Sequence, residues 1–212
     1  MTLITNPAEI EKRSFEMISE KLAGKKYETL NENVLKRVIH TTADFDYADN
    51  LAFSRGAVSL AKEALKNGAG IVTDTQMAKA GINKKAAALP GCEVHCFIDA
   101  PEVVEIARAN GTTRARAAVD HAVDTLGKPL IFVVGNAPTA LLRLHEIITS
   151  GVFLPELIVA VPVGFVNVVE SKELILGLDV PHIVAKGQKG GSNVAAAIVN
   201  ALLYEVTERV LV

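Results

Sequence analysis

The sequence predicts a single-domain α/β fold, with a mostly parallel, five- or six-stranded sheet flanked by helices and an N-terminal helical segment. Half of the 212 residues are hydrophobic, which suffices for the core of one ordinary domain. Helical patterns fill the first third of the chain. From Gly70 onward, short β-branched runs alternate with helical patterns, as in crossover units. We detect no internal repeat, low-complexity tract or interdomain linker, so one domain over residues 1–212 is expected.

The N-terminal helical segment begins with a capping pattern. Asn6 is a favourable N-cap, Pro7 suits the first helical position and the acidic Glu9 follows, so a helix is expected to run to about Leu22. Its apolar stripe consists of Ile10, Met17, Ile18 and Leu22. Ser14 falls within that stripe, so its hydroxyl needs a hydrogen-bond partner.

Two further helices should precede the sheet, over roughly Asn31 to Ile39 and Ser54 to Asn67. Arg37 and His40 are three residues apart, so they can share one face at the C-terminal end of the first of these helices. An imidazole then lies beside an arginine and the hydroxyls of residues 41 and 42. From its position alone, both a functional and a structural role of His40 therefore remain open.

The second part of the chain supplies the sheet. Strands are expected at Gly70 to Thr73, Glu93 to Ile98, Leu130 to Val134, Leu157 to Val161 and His182 to Ala185. The intervening helices should begin near Thr75, Pro101, Thr113, Asn136, Glu170 and Ser192. In open parallel sheets ligands bind beyond the carboxyl ends of the strands, so the segments that follow the strands are the first place to look for a site.

The segment after the last strand, Lys186 to Ser192, is rich in glycine and lysine and directly precedes a helix. Free amides and a helix dipole there suit an anion, but a turn that merely needs glycine is equally compatible. The segment matches neither the dinucleotide fingerprint nor the P-loop, so a nucleotide is not indicated.

Composition argues against several classes of protein. A formal net charge of -2 and a pI near 6.2 provide no basic field for nucleic acid. The first 13 residues lack the apolar core of a signal peptide, so a cytoplasmic protein is expected. The most apolar stretch, Leu157 to Val169, is interrupted by Pro162 and Gly164 and falls short of the roughly 18 residues of a membrane span, so no membrane partner is expected.

Cysteine and histidine patterns give little sign of a metal. Cys92 and Cys96 are too few for a disulfide framework, and a strand would place them on one face with His95 on the other, so packing is favoured over metal binding. Three other histidines sit in helical or strand patterns that favour structural roles: His121, His145 and His182. No G-x-S-x-G elbow indicates a hydrolase triad.

Four segments, taken together and in order, resemble the precorrin-8 methylmutase family over about residues 7 to 205. They are Arg37 to Phe45, Gly135 to Leu141, Val161 to Val166 with Glu170-Ser171-Lys172, and Lys189 to Ser192. The resemblance implies an isomerase of vitamin B12 biosynthesis that moves a methyl group from C-11 to C-12 of a tetrapyrrole-derived substrate. It also implies a homodimer with active sites near the subunit interface, and no cofactor or protein-bound metal.

Family residues fall on specific positions of this chain. The resemblance assigns the catalytic acid to His40 and substrate contacts to Ser14 and Arg37, and we extend a substrate role to Arg114 and Asn136. A histidine suits proton donation near neutral pH, and forked arginines suit the acetate and propionate arms of the substrate. Ala115 stands where a serine is common in the family.

Within the family, residues 37–45 and 190–197 look closer to the branch that acts on cobalt-containing intermediates, so cobalt-precorrin-8 is the expected substrate. Two rival functions are a non-catalytic corrinoid-binding module and a sugar-phosphate enzyme built on residues 186–192. The module is less favoured because Asp120-His121 lacks the D-x-H-x-x-G spacing that such modules share.

Overall fold

The structure, a computed structural model, describes residues 3–24, 28–127 and 129–207. Four helices surround the start of the sheet: α1 (Pro7–Leu22), α2 (Glu32–Thr42), α3 (Tyr47–Asn50) and α4 (Ala57–Lys66). The strands are β1 (Leu51–Phe53), β2 (Gly70–Thr73), β3 (Val94–His95), β4 (Leu130–Val134), β5 (Leu157–Ala160) and β6 (His182–Ala185). The other helices are α5 (Gln76–Gly81), α6 (Lys84–Ala88), α7 (Pro101–Ala109), α8 (Arg114–Leu126), α9 (Pro138–Thr149), α10 (Val168–Leu176) and α11 (Ser192–Val206). None of these helices is long and apolar enough to cross a membrane.

The six strands form one sheet in the order β1-β6-β5-β4-β2-β3, in which every neighbouring pair is parallel except β1 with β6. The predicted fold class is confirmed. The prediction was wrong in two details. Strand β1 was missed, and the strand expected over Glu93 to Ile98 is reduced to β3, which has β2 as its one neighbour.

Helices cover both faces of the sheet because each strand alternates its side chains. In β4, Ile131 and Val133 join the core beneath α2, α4 and α11, whereas Phe132 and its alternate neighbours join the core beneath α8, α9 and α10. Helix α11 is apolar almost all round, as expected for a helix buried between the sheet and α2.

Helix α1 lies on α2 at the outside of this layer. The predicted cap and length are confirmed, because the Asn6 side chain accepts from the N–H groups of Ala8 and Glu9 and the helix ends at Leu22. The stripe is buried only at its C-terminal end: Ile18 and Leu22 are covered, while Ile10 and Met17 are 44% and 48% exposed.

Helix α2 ends three residues beyond its predicted range, at Thr42, so His40 lies inside its last turn. The predicted third helix starts later than expected, at Ala57, because Ser54 bonds across to β6 as an acceptor for the His182 N–H and Gly56 adopts the left-handed conformation at the N-cap.

Candidate active site

A cleft of about 250 Å³ opens between α1 and the C-terminal end of α2. Its lining residues are Ser14, Met17, Ile18, Lys21, Ile39, His40, Ala43 and Phe45. The structure therefore brings together two of the predicted site residues, Ser14 and His40. The Ser14 hydroxyl donates to the Ile10 carbonyl at 2.8 Å, which is the partner that its place in the stripe required.

His40 is exposed within this cleft and stacks on the Phe15 ring, with centroids 5.2 Å apart and planes inclined by 24°. Partial desolvation by its neighbours and the positive charge of Arg37 lower the pKa of His40 below its usual value, and the charge of Glu11 opposes them. A lowered pKa makes the protonated imidazole a stronger acid, which suits proton donation to a weakly basic ring.

The end of α2 is fixed by local hydrogen bonds. The Thr42 hydroxyl donates to the Val38 carbonyl at 2.9 Å and accepts from the Asp44 N–H at 3.2 Å. Ala43 takes the left-handed conformation, with φ of 55°, and its N–H donates to the Ile39 carbonyl. A non-glycine residue there costs about 1 kcal/mol, so the chain holds this turn with other contacts.

Arg37 is one turn before His40 on α2 but does not line the cleft. Its guanidinium is buried above the Phe15 ring and beside the Tyr204 ring, at 4.8 Å and 5.4 Å from their centroids. Its Nη1 donates to Glu11 at 2.8 Å, while Nε and Nη2 have no hydrogen-bond partner among the described residues. A substrate carboxylate would therefore have to reach these two donors, or displace Glu11, to be bound by Arg37.

A second cleft, of about 430 Å³, lies at the carboxyl ends of β2, β3 and β4. Its lining residues are Asp74, Thr75, Gln76, Ile98, Asp99, Thr113, Arg114, Ala115, Asn136, Ala137 and Thr139. Arg114 is half exposed and donates to Asp99 at 3.2 Å, so its guanidinium is accessible to an anionic ligand. The predicted residues Arg114 and Asn136 share this cleft, but not the one that holds His40.

Asp74 shapes the second cleft and was not assigned a role from the sequence. Its carboxylate accepts from the backbone N–H groups of Gly135, Asn136 and Ala137 at 2.7 to 2.8 Å. Burial raises the pKa of Asp74, and the three N–H donors oppose that rise. The signal available in the sequence was position alone, since Asp74 follows β2 directly.

The loop of residues 186–191, which follows β6, joins the two clefts along one edge of the sheet. At one end Lys189 Nζ donates to Asp44 at 2.6 Å and to Asp46 at 2.7 Å, beside the His40 cleft. Directly after the loop, at the start of α11, the Ser192 hydroxyl is 2.8 Å from that of Thr75, beside the second cleft. This loop and the start of α11 thus contact residues beside both clefts, and the two clefts have no lining residue in common.

The glycines of this loop are explained by close packing. A Cβ on Gly190 would come within 2.1 Å of the Val161 carbonyl oxygen, and Gly191 donates its N–H to the same carbonyl at 2.8 Å. Because Lys189 is already paired with two carboxylates, the geometry favours the turn interpretation of this segment over an anion site.

The structure also gives the surroundings of the cysteines and histidines that the sequence offered as metal ligands. Cys92 is buried in the core, and its thiol donates to the Leu65 carbonyl at 3.2 Å. His182 is buried with Nδ1 2.9 Å from the Val180 carbonyl, as predicted for a structural histidine. Within residues 3–24, 28–127 and 129–207, no three His, Cys, Asp or Glu side chains cluster as a metal site would require.

Comparisons with known proteins agree with one another. A family model described as precorrin-8X methylmutase matches residues 9–205. A cobalt-precorrin-8 methylmutase of Salmonella typhimurium is 48% identical over 215 residues, which cover 98% of this chain and 100% of the relative. One of Leptospira interrogans is 40% identical, with 99% of each chain covered.

A solved structure supports the same assignment. The crystal structure of precorrin-8X methyl mutase from Thermus thermophilus superposes with a TM-score of 0.86 at 40% identity, covering 94% of this chain and 98% of that one. The chain belongs to the precorrin-8X methylmutase family.

Proposed function

We propose that this protein is an isomerase of cobalamin biosynthesis that moves a methyl group from C-11 to C-12 of cobalt-precorrin-8, with His40 as the acid. The observation that carries the proposal is the cleft in which His40 lies beside Ser14, on a chain that resembles methylmutases over almost its whole length. The metal-bound form of the substrate is favoured because the 48% and 40% identical relatives both carry the name cobalt-precorrin-8 methylmutase.

The chemistry follows from what each side chain can do. Protonation of the conjugated ring lowers its electron density and so assists migration of the methyl group, and we assign the delivery of that proton to His40. The substrate brings several carboxylates, whose negative charge would raise the pKa of a neighbouring imidazole and favour its protonated form on binding. The cobalt is held by the macrocycle, so no protein ligand for it is needed.

We assign carboxylate recognition to two arginines, Arg114 and Arg37. Arg114 is accessible in the second cleft beside Asn136. The two unpaired donors of Arg37 are buried, so a carboxylate would reach them only after the side chains that cover them had moved. The Ser14 hydroxyl already donates to Ile10, so toward the substrate it acts as an acceptor and not as a donor to a carboxylate.

We further propose that the active form is a homodimer. The His40 cleft, at about 250 Å³, is smaller than the roughly 300–1,000 Å³ pockets that enclose ordinary small ligands, and a tetrapyrrole-derived ring is larger than most of those. A second copy would supply the missing walls. The exposed apolar residues Ile10 and Met17 on α1 offer a surface that such a copy could cover.

The alternative of a non-catalytic corrinoid-binding module is not favoured, because the matching family is one of methylmutases. The two functions are separated by incubating the pure protein with cobalt-loaded or metal-free precorrin-8 and following the absorption spectrum. We expect conversion to the corrin chromophore, with the higher initial rate for the cobalt-loaded substrate. Binding without any change of chromophore in either substrate would contradict the proposal.

A further inference from the structure

A lysine away from both clefts has an unusual environment. Lys172, on α10, is fully buried, with 0% of its surface exposed. Among the described residues its ammonium bonds two backbone carbonyls and no carboxylate, and burial lowers the pKa of the ammonium to about 8. A buried charge without a counter-ion is costly unless hydrogen bonds replace its lost hydration.

Its hydrogen bonds show where that role lies. Lys172 Nζ donates to the carbonyl of Gly187 at 2.8 Å and to the carbonyl of Lys189 at 2.9 Å. Both acceptors belong to the loop of residues 186–191. Two carbonyls of one short loop thus converge on a single ammonium, which fixes the path of the backbone between them.

The neighbouring bonds show that this loop is fixed at both its sides. Gly164 donates its N–H to the Gln188 carbonyl at 3.1 Å, and Gly191 donates to the Val161 carbonyl at 2.8 Å. These bonds come from the segment after β5. The two carbonyls that Lys172 binds flank Gln188 along the loop, so side-chain and backbone bonds hold neighbouring residues.

From this loop the connection runs to the His40 cleft. The side chain of Lys189 binds Asp44 and Asp46, the residues on either side of Phe45. Phe45 and Ala43 line the cleft together with His40. Lys189 therefore links the loop to the segment that carries Phe45, so loss of its place in the loop would loosen that part of the cleft wall.

We infer that Lys172 is a positioning residue for the reaction: by holding the carbonyls of Gly187 and Lys189, it keeps Lys189 on Asp44 and Asp46 and so fixes the Phe45 part of the cleft that His40 also lines. This inference rests on the proposed function for its effect on catalysis. Its structural part, the control of the loop by Lys172, is independent of the reaction.

The kinetic test uses Lys172→Met, which keeps the length of the side chain without its charge, and Lys189→Met, which removes the bond to the two aspartates. We expect kcat to fall by about 10- to 100-fold in Lys172→Met, because a misplacement of about 1 Å can have that effect, while KM changes much less. Lys189→Met should fall by about tenfold, and the double variant should be no slower than Lys172→Met alone, since both act through one contact.

Amide hydrogen exchange tests the same inference without the reaction. In Lys172→Met the amides of Gly164 and Gly191 should exchange faster, while those of β4 keep their protection. Lys62→Met is the matched control. It removes the ion pair between a partly buried lysine and Glu205, and Glu205 lies about 20 Å along α11 from the loop. It should change neither kcat nor the exchange of Gly164 and Gly191.

Three results would overturn the inference. These are wild-type kcat in Lys189→Met, additive losses in the double variant, or faster exchange spread evenly over the chain in Lys172→Met. Because Lys189 has an exposed side chain, its variant should fold even if Lys172→Met does not, and the kcat of the Lys189 variant then decides. Should the wild-type protein convert no precorrin-8, the proposed function fails while the exchange experiment still tests the role of Lys172.

Discussion

Replacement of Arg37 by methionine tests the link between the buried guanidinium and the neighbouring acid. The change keeps much of the apolar volume and removes three things: the bond to Glu11, the contacts with the Phe15 and Tyr204 rings, and the positive charge beside His40. Each of these losses has a separate measurable consequence.

The loss of stability should be moderate. The ion pair is worth at most about 1 kcal/mol, because Glu11 is partly exposed, and each ring contact contributes about 0.5–1 kcal/mol. We therefore expect urea unfolding to report a decrease of about 2 kcal/mol in the free energy of unfolding. If Arg37 also binds a substrate carboxylate, loss of about 1.5–3 kcal/mol of charge-assisted bonding should raise KM by roughly ten- to hundredfold, with a smaller change in kcat.

The pH profile should move as well. Because Arg37 lowers the pKa of His40, its removal should raise that pKa, so kcat/KM of Arg37→Met should decline at a higher pH than in the wild type. Glu11→Gln is the matched variant, since Glu11 raises the pKa of His40, and its profile should shift the opposite way. An unchanged KM would remove Arg37 from the substrate site, and equal shifts in the same direction would refute the electrostatic argument.

Three further predictions follow from the same structure. Light scattering at micromolar concentration should report a particle of twice the 22.5 kDa protomer mass, and a species of 22.5 kDa alone would count against the dimer. Gly190→Ala should lower the free energy of unfolding by about 3 kcal/mol or more, because the new Cβ would clash with Val161, whereas Gly187→Ala, with open space around it, should cost only about 1 kcal/mol; similar urea midpoints for the two would contradict the packing argument. For the wild type, kcat/KM should fall as pH rises through the lowered pKa of His40, because the protonated imidazole is the active form; a profile that rises over that range would argue for a base instead.

Local patterns predicted the elements of the fold better than their ends. The cap at Asn6 and the β-branched runs of β2, β4 and β6 are local signals, and these elements have the predicted bounds. Strand β1 has three residues and exists because β6 offers it an edge, which is a tertiary effect that no short window contains.

In the candidate site, too, tertiary contacts could not be predicted from local patterns. Ser14 and His40 line one cleft, and that both serve the substrate stays a prediction. The burial of Arg37 against Tyr204 depends on contacts between distant parts of the chain, and so does the capture of the 135–137 amides by Asp74. Lys172 belongs to a segment that carries the family resemblance, but its burial follows only from the packing of α10.

The central claim is that His40 delivers the proton that drives methyl migration. Turnover of cobalt-precorrin-8 by His40→Ala and His40→Asn, followed by absorption, tests it most directly. We expect a loss of at least about 10²- to 10⁴-fold in both, because neither side chain can give up a proton, with corrin product still bound since the carboxylate contacts remain. Rates like those of the wild type in either variant, with the fold intact by circular dichroism, would mean that His40 is structural and that the acid lies elsewhere.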